Sequence, residues 1–393
     1  MTDLETPVAT PPRASALRRA APALLGYAAV RALGLLTLVV WSAARGTSAH
    51  RLLSARWDSL WYTRVAELGY GYEVRLPNGD VHANLAFFPL LPWLERLGAA
   101  VTPLSSADTG LLVSAVASLA AAWGIFAVAD HLHGRRAGVC AALVWAVLPI
   151  GVVQSMAYSE SLFTALAAWS LYAVLTGRWP TAGLLAALAG LTRPVGIAVV
   201  AALWVTAITS FVGERRRNGS TPGTDGARVR ERALGMIIAP LGAAGYVLWV
   251  GHRTGKGPLG YLDVQAGWRN GFDGGYAFAR FVAGKLASFP SALAGLGLIL
   301  GVALLLWLYV TCVRQGQPLP LLVYAGVVVA LALCASSYFG SKPRLLLPAF
   351  PLVLPPALAL ARLRTSRSAL VLGCAAVASA AYGAFWLNGS GPP

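Results

Sequence analysis

A succession of long apolar runs constrains this 393-residue chain more than any other feature of its sequence. Hydrophobic residues make up 57% of the chain and charged residues only 12%, against about 25% charged residues in a soluble domain. Because an apolar helix needs about 20 residues to cross a bilayer, the pattern predicts an all-α polytopic membrane protein. The predicted segments are 22–43, 109–129, 137–153, 161–175, 181–210, 233–250, 290–313, 319–336, 345–361 and 369–387.

Segment 181–210 is too long for one simple span, and the pair Arg193-Pro194 lies inside it. Proline disfavours helix in the residue before it and cannot donate a hydrogen bond inside a helix. We therefore predict two short helices, out and back, which bring the total to about 11 transmembrane segments. One kinked helix is the alternative, but it would place the basic loop 362–367 outside, against the preference of Lys and Arg for the cytoplasmic side.

The net charge of +16 would suggest a nucleic-acid partner in a soluble protein. Here many of the basic residues lie in short loops between apolar runs, where they set membrane orientation. We therefore predict no nucleic-acid partner. The predicted domains are a disordered cytoplasmic tail, 1–20, and a membrane domain, 21–393, which contains a first external loop at 42–108, a basic cytoplasmic loop at 213–233 and a second large external loop at 251–289.

This orientation collects five polar stretches on the external face, at 41–108, 154–160, 192–194, 251–289 and 337–344. The first contains an unusual carboxylate. Asp58 lies between tryptophans in the sequence Arg56-Trp57-Asp58-Ser59-Leu60-Trp61-Tyr62. The apolar spacing predicts an amphipathic helix in the membrane interface with its tryptophan side in lipid, and it puts Asp58 and Tyr62 on another shared face. In the alternative reading, Asp58 only pairs with Arg56 or caps the helix.

A second segment of this loop, Asn84 to Pro92, has two prolines over an apolar run. The prolines predict a short re-entrant or surface element, or an aromatic membrane anchor, instead of a span.

Ionisable residues also lie at membrane boundaries further along the chain. Glu160 opens the fourth span, and such groups usually face a cavity or a partner; the alternative is an N-cap at Ser159 with an acid in the first turn. Lys342 and Arg344 flank a proline, and this pair suits a lipid phosphate or ordinary interfacial anchoring. In the second large loop, polar and aromatic residues, with Gln265 and Trp268 among them, suit a carbohydrate.

Several sequence motifs of soluble enzymes are absent from the chain. It has no P-loop, no GxGxxG after a strand and no HExxH. An enzyme whose site faces outward would therefore receive its activated substrate through the lipid.

Four of these segments, in this order, resemble the PIG-V type of mannosyltransferase within the membrane GT-C glycosyltransferases. They are Arg56-Trp57-Asp58, Ala86-Phe87-Phe88-Pro89, Ala157-Tyr158-Ser159-Glu160-Ser161-Leu162-Phe163 and the Arg193 segment. The resemblance covers roughly the first 200 residues; beyond them it rests on hydropathy and on Ser341-Lys342-Pro343-Arg344-Leu345, which is similar to bacterial relatives. It implies a GT-C-like bundle in a bacterial plasma membrane, with an outward-facing site.

The resemblance also implies a polyprenyl-phosphate-mannose donor, a lipid or glycan acceptor, and an α-mannosyl product formed by inversion. Asp58 matches the position of an essential acid, and Glu160 is the next catalytic candidate. For the donor phosphate we select Arg193, Lys342 and Arg344. For substrate binding we select Arg56, Trp57, Tyr62, Tyr158, Gln265 and Trp268.

Ser59 follows Asp58 where a second acid often stands, so a divalent cation stays open and no other cofactor is predicted. A lipid or sugar transporter or flippase is the alternative class. It predicts internal repeats and charges near the bilayer midplane, whereas we find no repeat and the polar motifs cluster on one face. A GT-C enzyme that uses another polyprenyl-phosphate sugar is the alternative within the enzyme class.

Overall fold

The computed structural model describes residues 13–217, 226–336, 338–389 and 391, and helices form most of this part of the chain. The helices are α1 (Arg13–Ala44), α2 (Ala49–Ser54), α3 (Asp58–Leu68), α4 (Leu90–Val101), α5 (Ser106–His133), α6 (Arg135–Ala146), α7 (Ser159–Leu175), α8 (Trp179–Gly190), α9 (Ile197–Arg217), α10 (Gly226–Ile238), α11 (Leu241–Thr254), α12 (Gly260–Gly267), α13 (Tyr276–Leu286), α14 (Ser291–Arg314), α15 (Leu319–Cys334), α16 (Lys342–Leu345), α17 (Leu354–Arg362) and α18 (Thr365–Leu387). Strands β1 (Glu73–Arg75) and β2 (Val81–Ala83) pair as one antiparallel hairpin.

The length and composition of these helices confirm an all-α, multi-pass membrane protein. Within the described ranges, 6 helices are long and apolar enough to cross a bilayer when α10 and α11 are counted together as Gly226–Thr254, or 7 if one bent pair counts as a span. That pair, Phe339–Leu345 and Phe350–Arg362, is bent by 76°. Helices α7, α8 and α15 are apolar but shorter. The count of 11 segments therefore stays a prediction.

Prolines divide several predicted segments. The break at Arg193-Pro194 is confirmed, because α8 ends at Gly190 and α9 begins at Ile197 after a 3-10 turn, with Arg193 itself extended. The segment predicted at 345–361 is not one straight helix, since Pro348 and Pro351 interrupt it between α16 and α17; the bent pair is a broken span or a re-entrant loop. In the same way Pro240 separates α10 from α11.

Both predicted cytoplasmic regions, the tail 1–20 and the loop 213–233, contain more helix than we expected. Helix α1 already begins at Arg13, so 13–20 is not a disordered tail, and the guanidinium of Arg19 binds both carboxylate oxygens of Asp130. Helices α9 and α10 likewise extend into the predicted loop 213–233, where Arg232 forms two 2.7 Å hydrogen bonds with Glu214. The remainder of both predictions, at 1–12 and 218–225, lies outside the described residues.

A buried polar network beside α1 holds the segment that leads into α7. Arg31 donates to the carbonyls of Ala146 and Gly151. Tyr27 donates to Gln154 Oε1 at 2.8 Å, and the Gln154 amide donates to a backbone carbonyl at the end of α6. Because these hydrogen bonds connect α1 and the end of α6 to the residues that follow, the irregular chain between α6 and α7 is fixed within the bundle.

Close helix packing depends on glycine where α8 meets α10. A Cβ at Gly183 would lie 2.5 Å from the carbonyl oxygen of Gly235, and a Cβ at Gly235 would lie 2.5 Å from that of Trp179. Both obstacles are backbone atoms, so the helices themselves would have to move apart.

We expect Gly235→Ala to destabilise the protein by about 1–3 kcal/mol, the usual cost of overpacking. Thermal unfolding in detergent, followed by tryptophan fluorescence, measures this change. Gly297→Ala on α14, where a Cβ meets open space, is the matched control and should leave the midpoint unchanged or slightly raised, because Ala favours helix. Equal midpoints for the two variants would contradict the packing argument.

Candidate active site

Four charged residues from distant parts of the chain meet in one cluster. Arg344 Nη1 lies 2.8 Å from Asp58 Oδ2, and Arg344 Nε lies 3.2 Å from Glu160 Oε1. Arg193 Nη1 lies 2.6 Å from the same Glu160 oxygen. Two acids and two arginines thus form one alternating, formally neutral network. The sequence predicted these four residues for one site, and the structure brings them together.

Local backbone structure places each carboxylate. Asp58 and Glu160 lie in the first turns of α3 and α7, where the helix dipole favours a negative charge. Trp57, directly before Asp58, has a φ of 52°, a conformation that is costly for a bulky residue. Asp58 pairs with Arg344 instead of Arg56, whose guanidinium stacks over the Trp57 ring and donates to the Leu387 carbonyl.

Exposure separates the roles of the two acids. The Asp58 side chain is 26% exposed, whereas that of Glu160 is 1% exposed. Glu160 is therefore buried behind the two guanidinium groups, which are themselves 9% (Arg344) and 12% (Arg193) exposed. This burial argues against the prediction that Glu160 meets substrate, and it suits a residue that orients both arginines.

Hydroxyl groups extend the network on one side. Tyr62 and Ser159 share a 2.7 Å hydrogen bond, and Arg193 Nη1 donates to Ser159 Oγ at 3.1 Å. Burial raises the pKa of Tyr62, so its phenol keeps its proton. The Tyr158 ring packs against Arg344, with 4.9 Å between the guanidinium carbon and the ring centroid.

The cluster borders a cavity of about 420 Å³, which is within the range of small-molecule sites. Four of the five predicted polar stretches contribute to its wall, whereas the stretch 154–160 does not reach it. The lining residues are Trp57, Asp58, Trp61, Tyr62, His82, Ala86, Phe87, Phe88, Thr192, Arg193, Pro194, Gln265, Trp268, Asn270, Ala335, Tyr338, Ser341, Arg344 and Leu345. Trp57, Tyr62, Gln265 and Trp268, which were selected for substrate binding, thus line the cavity beside the charged cluster, and their role stays a prediction.

Aromatic side chains form the wall that lies away from the ion pairs. Trp61 stacks on Phe87 with 5.7 Å between ring centroids, and it meets Trp268 edge-on at 4.9 Å. The prediction that the tryptophan side of α3 lies in lipid is therefore wrong, because apolar periodicity identifies a buried face without identifying what covers it. The segment around Phe88 is likewise packed in protein, with Phe88 itself 1% exposed.

Lys342 does not line the cavity, which contradicts its assignment to the donor phosphate. Its ammonium donates to the carbonyls of Ala332 and Ala335 at 2.7 and 2.8 Å, at the C-terminal end of α15. It also lies over the rings of Phe278 and Phe339. Backbone carbonyls at a helix end attract cations, so Lys342 stabilises α15. Arg56 and Tyr158 are also absent from the cavity lining, although each contacts a residue that lines it.

Five polar residues of the lining were not selected as site residues from the sequence: His82, Thr192, Asn270, Tyr338 and Ser341, although the motifs quoted from the sequence contain Ser341. A lone histidine or asparagine in a loop carries no periodic signal. Backbone strain is the structural signal, because the non-glycine residues of the described ranges with positive φ are Trp57, Arg269 and Tyr338. Two of them line the cavity and the third follows Trp268, and such strain concentrates at functional sites.

The acids of this site do not fit a divalent cation. Such ions take several oxygen ligands, whereas Asp58 and Glu160 are already paired with arginine. Over the described part of the chain, no three His, Cys, Asp or Glu side chains come together as a metal-binding group.

The described part of the chain shares its fold with a protein of known structure. The crystal structure of ArnT from Cupriavidus metallidurans bound to undecaprenyl phosphate superposes with a TM-score of 0.51 and 16% sequence identity, over 86% of this chain and 62% of that chain. At this identity the similarity establishes a shared fold.

Sequence comparisons show that part of the chain is similar to mannosyltransferases. Residues 82–222 match the family dolichyl-phosphate-mannose-protein mannosyltransferase. GPI alpha-1,6-mannosyltransferase 2 of Rattus norvegicus is 33% identical over 156 residues, and that of Mus musculus is 36% identical over 154. These alignments cover 37% and 36% of this chain but only 30% and 29% of the relatives. The chain is a distant relative of these PIG-V proteins, which confirms the resemblance over that part.

We expect Glu160→Gln to destabilise the protein by about 3–5 kcal/mol, because it leaves two buried guanidinium groups with one anion between them. Thermal unfolding in detergent measures the loss. Asp263→Asn makes the same chemical change in an exposed pair with Lys256, at 3.7 Å, and should have little effect. If Glu160→Gln were as mild as this control, Glu160 would not hold the cluster together.

Proposed function

We propose that this protein is a membrane mannosyltransferase that moves mannose from a polyprenyl-phosphate donor to a lipid-linked or cell-envelope glycan. The observation that carries the proposal is the pair of guanidinium groups beside a carboxylate that is open to the cavity. The relationship to mannosyltransferases supports the sugar. The site would face the outside of the cell, where a lipid-borne donor needs no nucleotide pool.

The two arginines would bind the donor phosphate. Arg193 and Arg344 both line the cavity, and a planar guanidinium with five donors suits phosphate oxygens. Glu160 holds both arginines from behind. A preorganised pair of this kind stabilises charge as it develops on the departing phosphate, which is commonly the largest catalytic contribution.

Asp58 would be the general base. Its side chain pairs with Arg344 but is 26% exposed and lines the cavity, so the carboxylate can accept a proton from a molecule bound there. The acceptor hydroxyl gives its proton to Asp58 while its oxygen bonds to the anomeric carbon. The bond from that carbon to the phosphate oxygen breaks, and the polyprenyl phosphate leaves with the electron pair and with inversion at the carbon.

Proton transfer and phosphate departure would be linked through Arg344. While Asp58 is an anion, Arg344 is shared between Asp58 and Glu160. Once Asp58 takes the proton, it no longer neutralises the guanidinium, at the moment when the leaving phosphate gains negative charge. The positive charge of Arg344 is then available to the phosphate without movement of the backbone.

An apolar groove next to the cluster suits the isoprenoid part of the donor. Its volume is about 640 Å³, and aliphatic and aromatic side chains of α4, α8, α10 and α11 line it, together with Tyr70. Leu191 lines the groove and Thr192 and Arg193 line the cavity, so the two spaces adjoin at the break between α8 and α9. A lipid chain in the groove would end beside the arginines.

The membrane arrangement that we propose retains 11 segments. It counts the 6 long helices, the bent pair, the shorter helices α7, α8 and α15, and α6. In this arrangement the break at Arg193 faces outside, together with the rest of the cavity.

We expect Asp58→Asn to lower mannosyl transfer by about 10²–10⁴-fold, the usual contribution of positioned proton transfer. The assay uses purified protein, labelled polyprenyl-phosphate mannose and candidate lipid glycans, with glucose and arabinose donors in parallel. Asp108→Asn, at an exposed pair with His50, is the control and should keep full activity. Normal transfer by Asp58→Asn would overturn its role, and transport of the lipid without any glycosyl product would overturn the enzyme.

We expect Gly245→Trp to raise the KM for a long-chain donor about tenfold or more, because the indole would fill apolar volume that the isoprenoid needs. Gly245 lines the groove, and a Cβ there meets no atom within 4 Å. A donor with a two-isoprene chain should be much less affected. Gly301→Trp, also in open space, is the matched control. If Gly245→Trp had equal KM values for the long-chain and the two-isoprene donor, the groove would be excluded as the isoprenoid site.

A further inference from the structure

A histidine that the mechanism leaves unused lies in the aromatic wall of the cavity. His82, on β2, lines the cavity and stacks on Trp268 with 4.0 Å between ring centroids and 11° between ring planes. Within the described part of the chain its ring nitrogens have no hydrogen-bond partner. Burial lowers the pKa of the His82 imidazole, with Asp80 opposing this effect, so the ring is neutral near pH 7.

Four contacts lock the hairpin that carries His82 to the end of α12. Besides the stacked rings, Trp268 Nε1 donates to the Ala83 carbonyl at 3.0 Å. Arg269 Nε lies 2.6 Å from Asp80 Oδ2, and Arg269 has a φ of 56°. A Cβ at position 267 would collide with the Val81 carbonyl oxygen, so Gly267 permits the close approach. The His82 ring is thus held in place before any ligand arrives.

Inversion at the anomeric carbon determines whether the aromatic wall contacts the acceptor or the donor. The incoming hydroxyl must approach the anomeric carbon from the side opposite the departing phosphate. Arg193 and Arg344 mark the phosphate side, and the groove for the donor chain continues beyond them. The aromatic wall is reached from Asp58 through Trp61, one helical turn along α3, which contacts Trp268 edge-on.

We propose that His82 binds a hydroxyl group of the acceptor sugar and so orients the attacking hydroxyl toward Asp58. A neutral imidazole offers one donor and one acceptor, which is what a sugar hydroxyl requires. The stacked Trp268 ring and its hydrogen bond to the Ala83 carbonyl fix the direction of these two nitrogens. This inference rests on the proposed glycosyl transfer, and it makes His82 a residue for acceptor affinity instead of donor affinity.

The test is the KM for acceptor and for donor, measured separately with purified full-length protein, labelled polyprenyl-phosphate mannose and a soluble mannoside acceptor. His82→Phe keeps a ring that can stack on Trp268 but loses both nitrogens. We expect it to raise the acceptor KM about 3- to 10-fold, the size of one neutral hydrogen bond, with the donor KM unchanged. His82→Gln, which restores a donor and an acceptor, should recover part of the loss.

Three results separate the possible failures. An unchanged acceptor KM in His82→Phe, with active wild-type protein, would overturn the role of His82 alone. A raised donor KM would place His82 on the donor side and would also overturn it. Absence of transfer by the wild type under all conditions would remove the proposed function itself. His50→Phe, at an exposed pair with Asp108, is the control for introducing phenylalanine.

Discussion

The shared guanidinium of Arg344 is the interaction on which the candidate site depends. It joins the start of α3 to the start of α7, because Asp58 and Glu160 both contact it. Asp58 and Glu160 are distant in sequence, and two carboxylates alone in a buried space would repel each other. The arginine makes their approach favourable, and Arg193 completes the balance at Glu160.

A buried, balanced cluster of this kind is a poor source of stability, because desolvation offsets much of the attraction. Its contribution to the site is geometric. Glu160 is fully surrounded, so it fixes two guanidinium planes, while Asp58 keeps one side toward the cavity. The same cluster thus contains a rigid part that holds positive charge and an accessible part that can exchange a proton.

The sequence predicted the membrane class, most helix positions and the break at Pro194, because these follow from apolar length and from proline chemistry. It also predicted that distant polar stretches share one site. Side-chain direction could not be predicted in the same way. Lys342 and Arg344 are two residues apart, yet one caps α15 and the other enters the charged cluster. His82 carries no pattern at all, and only the contact with Trp268 reveals it.

The broken helix at Leu191–Pro194 brings an apolar groove and a charged site together, as the proposed lipid donor requires. A continuous helix would present only side chains at this depth, and its backbone groups would be internally bonded. The break instead lets the Leu191 carbonyl accept from Leu90 N at 3.0 Å, which ties α4 to the end of α8. Leu191 then closes the apolar groove while Arg193 opens the cavity. Apolar and ionic surfaces therefore meet within two residues, which suits the proposed donor, an isoprenoid joined directly to a phosphate.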